Sequence, residues 1–135
     1  PARSPMLYRQ HARNIIKNVD IIYLVSSVET IISFELEWCS SNMNAACNAA
    51  DFYNTIENMK INIRWDYMNA VCWKNTDEHP NRKEYRMAEF LVREKVPWEA
   101  IPYLAVFNDA ASERVKKILP EGSKQRIFVQ QDMYF

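Results

Sequence analysis

The spacing of hydrophobic side chains changes period along this chain, which predicts short strands separated by helices. Residues 20–25 are dense in β-branched and aromatic side chains and predict a strand buried on both faces. Residues 86–92 alternate with a period of two and predict a second strand. Residues 103–107 and 126–129 predict two further strands.

Capping residues predict two helices in the first part of the chain. Ser4 as N-cap, with Pro5 in the first helical position, predicts a helix that runs to about residue 13. Ser27 is expected to cap a short helix over residues 26–31.

The middle of the chain predicts two helices and a loop. Ser40 or Ser41 precedes apolar side chains at helical spacing, which predicts a helix that reaches residue 56. A short helix is expected over residues 65–73, and its apolar side is formed by Trp65, Met68, Val71 and Cys72. Residues 74–84 are strongly polar and predict a loop.

The last part of the chain predicts a further helix. Asp109 is expected to cap it over residues 110–119, with Val115, Ile118 and Leu119 facing inward, and residues 96–101 predict one helical turn. Helices mixed with short strands are typical of the α+β class. Because the chain has no repeat and no linker-like stretch, we expect one domain over residues 1–135.

Composition excludes several classes of nucleotide-binding and metal-binding protein. A single glycine, Gly122, excludes a P-loop and a Gly-rich dinucleotide fingerprint, so asparagines are expected to occupy the left-handed turns. Lys and Arg together number 17, as do Asp and Glu, so any nucleic-acid contact requires a local basic patch. With two histidines and no close cysteine partners, no metal site is expected.

The cysteines and the apolar runs indicate the cellular compartment that we expect for the protein. Cys39, Cys47 and Cys72 form neither an even disulfide set nor a C-x-x-C pair, which favours free thiols in a reducing cytoplasm. The longest apolar run, residues 19–25, is far too short to cross a bilayer, so no membrane contact is expected.

Glu89 does not fit the apolar pattern around it. On a strand, it would share a face with Met87 and Leu91, where an unpaired carboxylate is costly to bury. Either Glu89 is simply solvated on a helix or a sheet edge, or it lies in a cleft and accepts a hydrogen bond from a substrate hydroxyl. Periodicity alone leaves both interpretations open.

Five short segments stand out by their order and spacing along the chain. They are Ser4-Pro5-Met6-Leu7-Tyr8, residues 21–28, residues 85–92 around Glu89, Val96-Pro97-Trp98 and Met133-Tyr134-Phe135. In this order they resemble the DarT family of bacterial DNA ADP-ribosyltransferase toxins, and the resemblance extends over essentially the whole chain.

The resemblance implies a fold, an activity and partners. The fold is the ADP-ribosyltransferase split β-sandwich with flanking helices, of which this chain would be the C-terminal portion. The activity is transfer of ADP-ribose from NAD+, as co-substrate, to a base in single-stranded DNA, commonly thymine. The implied partner is the macrodomain antitoxin DarG, and no metal is involved. The family's catalytic glutamate corresponds to Glu89, which would hold a ribose hydroxyl as nicotinamide leaves.

The family's DNA-holding loop corresponds to about residues 38–86. Arg82, Lys83 and Arg86 are the implied phosphate contacts, and Tyr53 is an implied stacking surface for a base, as are Trp65 and Trp73. The alternative for each is ordinary: aromatic residues at helical spacing belong to a core, and charges beside acidic neighbours belong to a solvated loop.

The sequence also departs from the family pattern. The given sequence begins after the place of the family's NAD-contacting histidine and threonine, so we expect either a fragment of a longer gene product or a natural short form. Met87 stands where glutamine is usual, and the loop entry is Cys39-Ser40-Ser41-Asn42. These departures motivate a second hypothesis, a catalytically incomplete module that binds DNA or the antitoxin. A third is an ADP-ribosyltransferase that modifies protein or RNA, since such enzymes share the glutamate.

Overall fold

The computed structural model describes residues 3–135 and shows helices mixed with short strands. The helices are α1 (Pro5–Ala12), α2 (Val28–Ser33), α3 (Ile56–Asn62), α4 (Trp65–Met68), α5 (Arg82–Tyr85) and α6 (Asp109–Ile118). The strands are β1 (Tyr23–Val25), β2 (Trp38–Ser41), β3 (Phe52–Tyr53), β4 (Glu89–Val92), β5 (Tyr103–Val106) and β6 (Arg126–Val129). Short 3-10 turns occupy Asn18–Asp20, Trp98–Ala100 and Gln131–Met133. The predicted α+β class is confirmed.

The described residues form two compact units, which we call the central unit and the terminal unit. The central unit comprises Arg3–Pro5 and Glu37–Glu94, and the terminal unit comprises Met6–Leu36 and Lys95–Phe135. Each unit contains a three-stranded sheet among the strands described.

The sheet of the terminal unit is centred on β5, whose residues Leu104, Ala105 and Val106 are almost fully buried. β1 pairs with it antiparallel and β6 pairs with it parallel. The α6 helix connects β5 to β6 and packs Ala111 and Val115 against Leu104 and Val106. Burial of the apolar side chains between β5 and α6 removes them from water and so stabilises the sheet.

In the terminal unit, one of the two predicted helix caps is confirmed and the other is displaced by one residue. Ser27 accepts the amide of Thr30 at 3.1 Å and so caps α2, as predicted. At α6 the cap is Asn108, whose Oδ1 accepts the amide of Ala111 at 2.9 Å, so the prediction of Asp109 as cap was wrong. Ile118 is 72% exposed, so its predicted inward orientation was also wrong.

The strand predicted over residues 20–25 is shorter and more exposed than expected. Strand β1 contains only Tyr23–Val25, because a 3-10 turn occupies Asn18–Asp20. Leu24 is 59% exposed, so burial on both faces was a wrong prediction. The reason is topological: β1 is the edge of the sheet order β1-β5-β6, and an edge strand is covered less than a central one.

The central unit contains an antiparallel sheet in the order β3-β2-β4. Trp38 of β2 stacks on Phe90 of β4, with ring centroids 4.9 Å apart. The predicted helix from Ser40 or Ser41 to residue 56 is absent from the described structure, because Ser40 and Ser41 pair with β4 as part of β2. Main-chain turns follow the strand, with the amide of Cys47 donating to Asn44.

After β3, the central unit is organised around α3 and α4. Thr55 caps α3 by accepting the amide of Asn58 at 3.2 Å. Met59, Ile63 and Tyr67 are buried, whereas Val71 is 98% exposed. The helix predicted over residues 65–73 is limited to α4, and the apolar side predicted for it was wrong, since Tyr67 is the inward residue.

Left-handed backbone occurs in unexpected places. Asn14 and Gly122 have positive φ angles, in agreement with the sequence, but Glu35 (54°) and Glu94 (61°) do as well. Asparagine therefore takes only part of the role that glycine has elsewhere. Within residues 3–135, no helix is both long and apolar enough to cross a membrane.

Candidate active site around Glu89

Glu89 is the first residue of β4, and its side chain is half-buried. It pairs with Ser41 of β2, whose side chain is fully buried. The predicted strand is confirmed for residues 89–92, while Arg86 ends α5 and Met87 lies in the turn between α5 and β4. Glu89 therefore lies on a strand, and its interpretation as a helical residue was wrong. The sheet-edge interpretation stays open, because β4 is an edge strand in the order β3-β2-β4.

The carboxylate of Glu89 is held by a main-chain donor from a distant loop. The amide of Ala45 donates to Oε2 of Glu89 at 2.7 Å. A distance this short is typical of a hydrogen bond to a charged acceptor. Oε1 accepts no hydrogen bond from residues 3–135, so the carboxylate is oriented through one of its two oxygens.

Ser41 links the strand pair to the same loop. Its Oγ donates to the main-chain oxygen of Met43 at 2.6 Å and accepts the amide of Glu89 at 3.3 Å. The hydroxyl thus fixes the loop directly after β2 to the start of β4. Ser41 was not predicted as a site residue, and its position in a strand register gives no local sequence signal.

The loop over residues 42–51 is closed at its base by Asn42 and Asp51. Nδ2 of Asn42 donates to Oδ2 of Asp51 at 3.0 Å, and the amide of Asp51 donates to Oδ1 of Asn42 at 3.0 Å. The amide of Asn42 also donates to the main-chain oxygen of Asp51 at 3.2 Å. These bonds fix both ends of the loop that presents Ala45 to Glu89.

Tyr53, predicted to stack on a base, lies beside this loop base. It is half-buried on β3, opposite Ser40. Burial raises the pKa of the Tyr53 phenol, the charges of Asp51 and Tyr85 raise it further, and a hydrogen bond with Asn42 opposes them. Tyr53 therefore shares polar partners with the loop that supports Glu89.

The basic residues predicted near DNA differ in accessibility. Lys83 is exposed on α5, and its main-chain amide donates to Asn75 at 2.9 Å. Arg82 is half-buried, and its guanidinium carbon lies 5.7 Å from the ring centroid of Tyr67. Arg86 is buried among main-chain carbonyls of the central unit. Of these, Lys83 alone presents an exposed side chain.

Tyr67, on α4, is a buried aromatic residue near the basic residues just described. Its hydroxyl lies 3.1 Å from Nδ1 of His79, and the guanidinium carbon of Arg64 lies 3.9 Å from its ring centroid. Trp65 is partly exposed and donates from its indole nitrogen to Lys60. The ring of Tyr67, which the sequence analysis did not single out, is thus in contact with Arg64 and His79.

No group of His, Cys, Asp or Glu side chains among residues 3–135 is arranged to hold a metal ion. Within the central unit, the carboxylate of Glu89 is half-buried and oriented by the amide of Ala45. An oriented, half-buried carboxylate can accept a hydrogen bond from a sugar hydroxyl and stabilise positive charge beside it.

Solved structures of DarT proteins have this fold. A structure of Thermus sp. 2.9 DarT in complex with ADP-ribosylated ssDNA matches with a TM-score of 0.87 and 28% identity, covering 98% of this chain and 64% of that one. A structure of the same protein in complex with NAD+ matches with a TM-score of 0.85, covering 68% of that chain. Thermosipho africanus DarTG in complex with ADP-ribose matches at 20% identity, which supports the fold alone.

Comparison with models of protein families identifies the family of this chain. The family model described as "ssDNA thymidine ADP-ribosyltransferase, DarT" matches residues 1–135, and the chain belongs to the DarT family. A DNA ADP-ribosyl transferase of Mycobacterium tuberculosis is 32% identical over 138 residues, covering 99% of this chain. The chain spans 60% of the length of that relative and 65% of the corresponding protein of Thermus sp.. The resemblance drawn from the sequence is confirmed.

Proposed function

We propose that this protein is a DNA ADP-ribosyltransferase, which transfers ADP-ribose from NAD+ to thymine in single-stranded DNA with Glu89 as catalytic carboxylate. Membership of the DarT family supports the activity, as do the names of the relatives. The Thermus neighbours hold NAD+ in one case and ADP-ribosylated ssDNA in another. The observation that carries the assignment of Glu89 is its geometry, with Oε2 bonded to Ala45 and Oε1 available.

The proposed step uses the two carboxylate oxygens differently. Oε1 of Glu89 accepts a hydrogen bond from a hydroxyl of the nicotinamide ribose, while the Ala45 amide keeps Oε2 in place. The bond between C1′ and the nicotinamide nitrogen breaks, and its electron pair leaves with nicotinamide. Positive charge then builds on the ribose, where the carboxylate stabilises it. A nitrogen of the base bonds to C1′, and the proton of that nitrogen is released to solvent.

The DNA strand is proposed to run beside the central unit. Lys83 is the best placed phosphate contact, because its side chain is exposed, and Arg82 is a second one. Tyr53 is proposed as a stacking surface for a base, since it adjoins the loop that holds Glu89. The direct phosphate contact of Arg86 stays a prediction, although burial of its side chain favours another role.

The proposed biological setting is a toxin of a toxin–antitoxin pair in the bacterial cytoplasm, opposed by the macrodomain antitoxin DarG. Support for the setting comes from membership of the DarT family, for which the sequence resemblance implied this partner. Support for a reducing compartment comes from Cys39, Cys47 and Cys72, which are all free thiols.

The test is a labelled-NAD+ assay with the protein expressed from its complete gene. Single-stranded oligonucleotides with and without thymine, their duplexes, RNA and a protein mixture are offered as acceptors in parallel. We expect label on thymine-containing single strands and release of nicotinamide in equal amount. Label on RNA or protein alone contradicts the DNA assignment, and salt-sensitive DNA binding with no transfer identifies a binding module instead.

A further inference from the structure

Arg86 stands shortly before Glu89, and its side chain is buried, with only 6% of the residue exposed. One nitrogen, Nη1, lies within hydrogen-bond distance of the main-chain oxygens of Tyr67 (2.9 Å), Met68 (2.6 Å) and Ala70 (3.0 Å). These carbonyls belong to the C-terminal end of α4 and the turn after it. The last carbonyls of a helix have no partners within the helix, and a cation there is favourable.

The charge of Arg86 is compensated without a carboxylate. No ion pair joins Arg86 to an acid within residues 3–135, and its guanidinium carbon lies 4.6 Å from the ring centroid of Trp73. Burial lowers the pKa of Arg86, and the charge of Arg3 lowers it further. A buried cation is costly unless it is hydrogen-bonded. The three carbonyls and the ring offset this cost for Nη1 and the guanidinium face, while Nε of Arg86 is buried with no hydrogen-bond partner among residues 3–135.

The contacts of Arg86 therefore join the turn before β4 to residues 67–73. That stretch lies within the region proposed to hold DNA, between the α4 helix and the polar loop. A guanidinium that occupies several carbonyls and one aromatic face at once restricts the conformations of the whole stretch.

We propose that Arg86 is a positioning residue, which keeps residues 65–73 in the conformation that binds DNA and does not itself bind a phosphate. The proposal rests on the proposed function. Loss of Arg86 lowers the fraction of molecules whose segment is competent to bind, and the apparent dissociation constant rises by the inverse of that fraction. This factor is conformational and is the same at every salt concentration. A lost phosphate contact instead reduces the salt dependence of binding.

The experiment compares Arg86→Ala with Lys83→Ala in the protein expressed from its complete gene. Binding of a fluorescent thymine-rich oligonucleotide is titrated at several salt concentrations between about 50 and 200 mM. For Arg86→Ala we expect affinity lower by about tenfold at every salt concentration, with the slope of log affinity against log salt unchanged. For Lys83→Ala we expect that slope to fall in magnitude by about 0.7.

Hydrogen exchange of the free proteins provides the second measurement. Amides over residues 65–73 should exchange faster in Arg86→Ala and at the wild-type rate in Lys83→Ala. The far-UV circular dichroism of Arg86→Ala should match that of the wild type under the titration conditions, which a general loss of folded protein would not produce. A reduced salt slope in Arg86→Ala, with exchange as in the wild type, overturns the proposal in favour of a phosphate contact.

A second variant covers the case in which Arg86→Ala does not fold. Arg86→Gln keeps a planar group with N–H donors and removes the charge, so it should show the same salt-independent loss in smaller measure. If Arg86→Gln binds the oligonucleotide with the wild-type affinity and its amides over residues 65–73 exchange at the wild-type rate, the proposal is also overturned. If the wild type neither binds nor modifies DNA, the proposed function fails, while the exchange measurement still decides whether Arg86 orders the segment.

Discussion

The amide of Ala45 donates a 2.7 Å hydrogen bond to Oε2 of Glu89, although 44 positions separate the two residues in the chain. The bond connects the loop after β2 with the first residue of β4. It orients the carboxylate without neutralising it, because a main-chain amide carries no formal charge. The reactivity proposed for Glu89 therefore depends on the shape of a loop as much as on the glutamate itself.

Replacement of the carboxylate tests the central proposal. Glu89→Gln keeps the size of the side chain and removes its charge, so we expect kcat for transfer to fall by about 10²- to 10³-fold. The KM for NAD+ and the thermal midpoint should change little. The matched control is Glu57→Gln, since Glu57 is exposed on α3. Equal activity of Glu89→Gln and wild type would sink the catalytic assignment.

Opening the base of the loop should weaken catalysis from a distance. Asn42→Ala removes the side-chain bonds to Asp51 and lets the Ala45 amide move away from Glu89. Because small misplacements of a catalytic group are costly, we expect kcat to fall by about 10- to 100-fold. Asn54→Ala is the control, as Asn54 is an exposed asparagine beyond the loop. A kcat equal in both variants would show that the loop does not position Glu89.

The core of the terminal unit should be sensitive to truncation. Leu104 is 1% exposed and packs with Val106, Ala111 and Val115. Leu104→Ala leaves a cavity, so the free energy of unfolding should fall by about 2–5 kcal/mol in urea titrations. Val71→Ala, at a 98% exposed position, should change it by less than about 0.5 kcal/mol. Similar losses in the two variants would contradict the assigned core.

The cap of α6 can be located by a pair of variants. Asn108→Ala removes the acceptor for the Ala111 amide and should lower the free energy of unfolding by about 1 kcal/mol. Asp109→Ala removes only a favourable charge in the first helical turn, worth about 0.3 kcal/mol at this exposed site. The urea midpoints of the two variants show which of the two side chains contributes more to stability. A larger effect at Asp109 would restore the cap predicted from the sequence.

Tyr134 should make the protein unstable at alkaline pH. Its hydroxyl lies 3.1 Å from the main-chain oxygen of Ile21 and 2.9 Å from that of Ala105, and burial raises its pKa to about 12. An unfolded tyrosine titrates near about pH 10. The folded state therefore holds this proton more tightly, and the resulting stabilisation is complete below pH 10 and lost as pH rises through 12. The loss should amount to about 2–3 kcal/mol.

Urea titrations across this pH range provide the measurement for Tyr134. Tyr134→Phe should be less stable than wild type by about 1 kcal/mol at neutral pH, because two carbonyls lose their donor. It should then lose less stability between pH 10 and 12. Tyr103→Phe, at an exposed position, is the control and should follow the wild-type profile. A wild-type decline that persists undiminished in Tyr134→Phe would assign it to other groups.

The sequence predicted the elements whose signals are local. Strand β5 and helix α6 were placed well, because their apolar spacing and flanking turn residues lie within a few positions of one another. The loop around Ala45 was wrongly predicted as a helix, because its alanines recur at helical spacing in the sequence. Ser40 and Ser41 instead belong to a strand whose register depends on pairing with β4, and this pairing is not visible in the local sequence. Pairing between distant strands leaves no local pattern, and tertiary contacts override weak propensities there.

The sequence predicted the residues of the site that act through an unusual side chain, and it did not predict those that act through the main chain. Glu89 was singled out because a carboxylate among apolar neighbours is unusual. Its support was missed, because Ala45 contributes a main-chain amide and any residue except proline carries one. Arg86 was recognised as a cation, but whether a guanidinium meets a phosphate or a carbonyl depends on burial, which one sequence does not specify.

The loop that supports Glu89 also carries its own chemical handle. Cys47 is a free, exposed thiol close in sequence to Ala45. With Cys39 only partly accessible, a maleimide dye attached to Cys47, in a protein whose Cys72 is replaced by serine, would report on the surroundings of the loop. Addition of nucleotide or oligonucleotide could then be followed by fluorescence in real time, with no need for turnover.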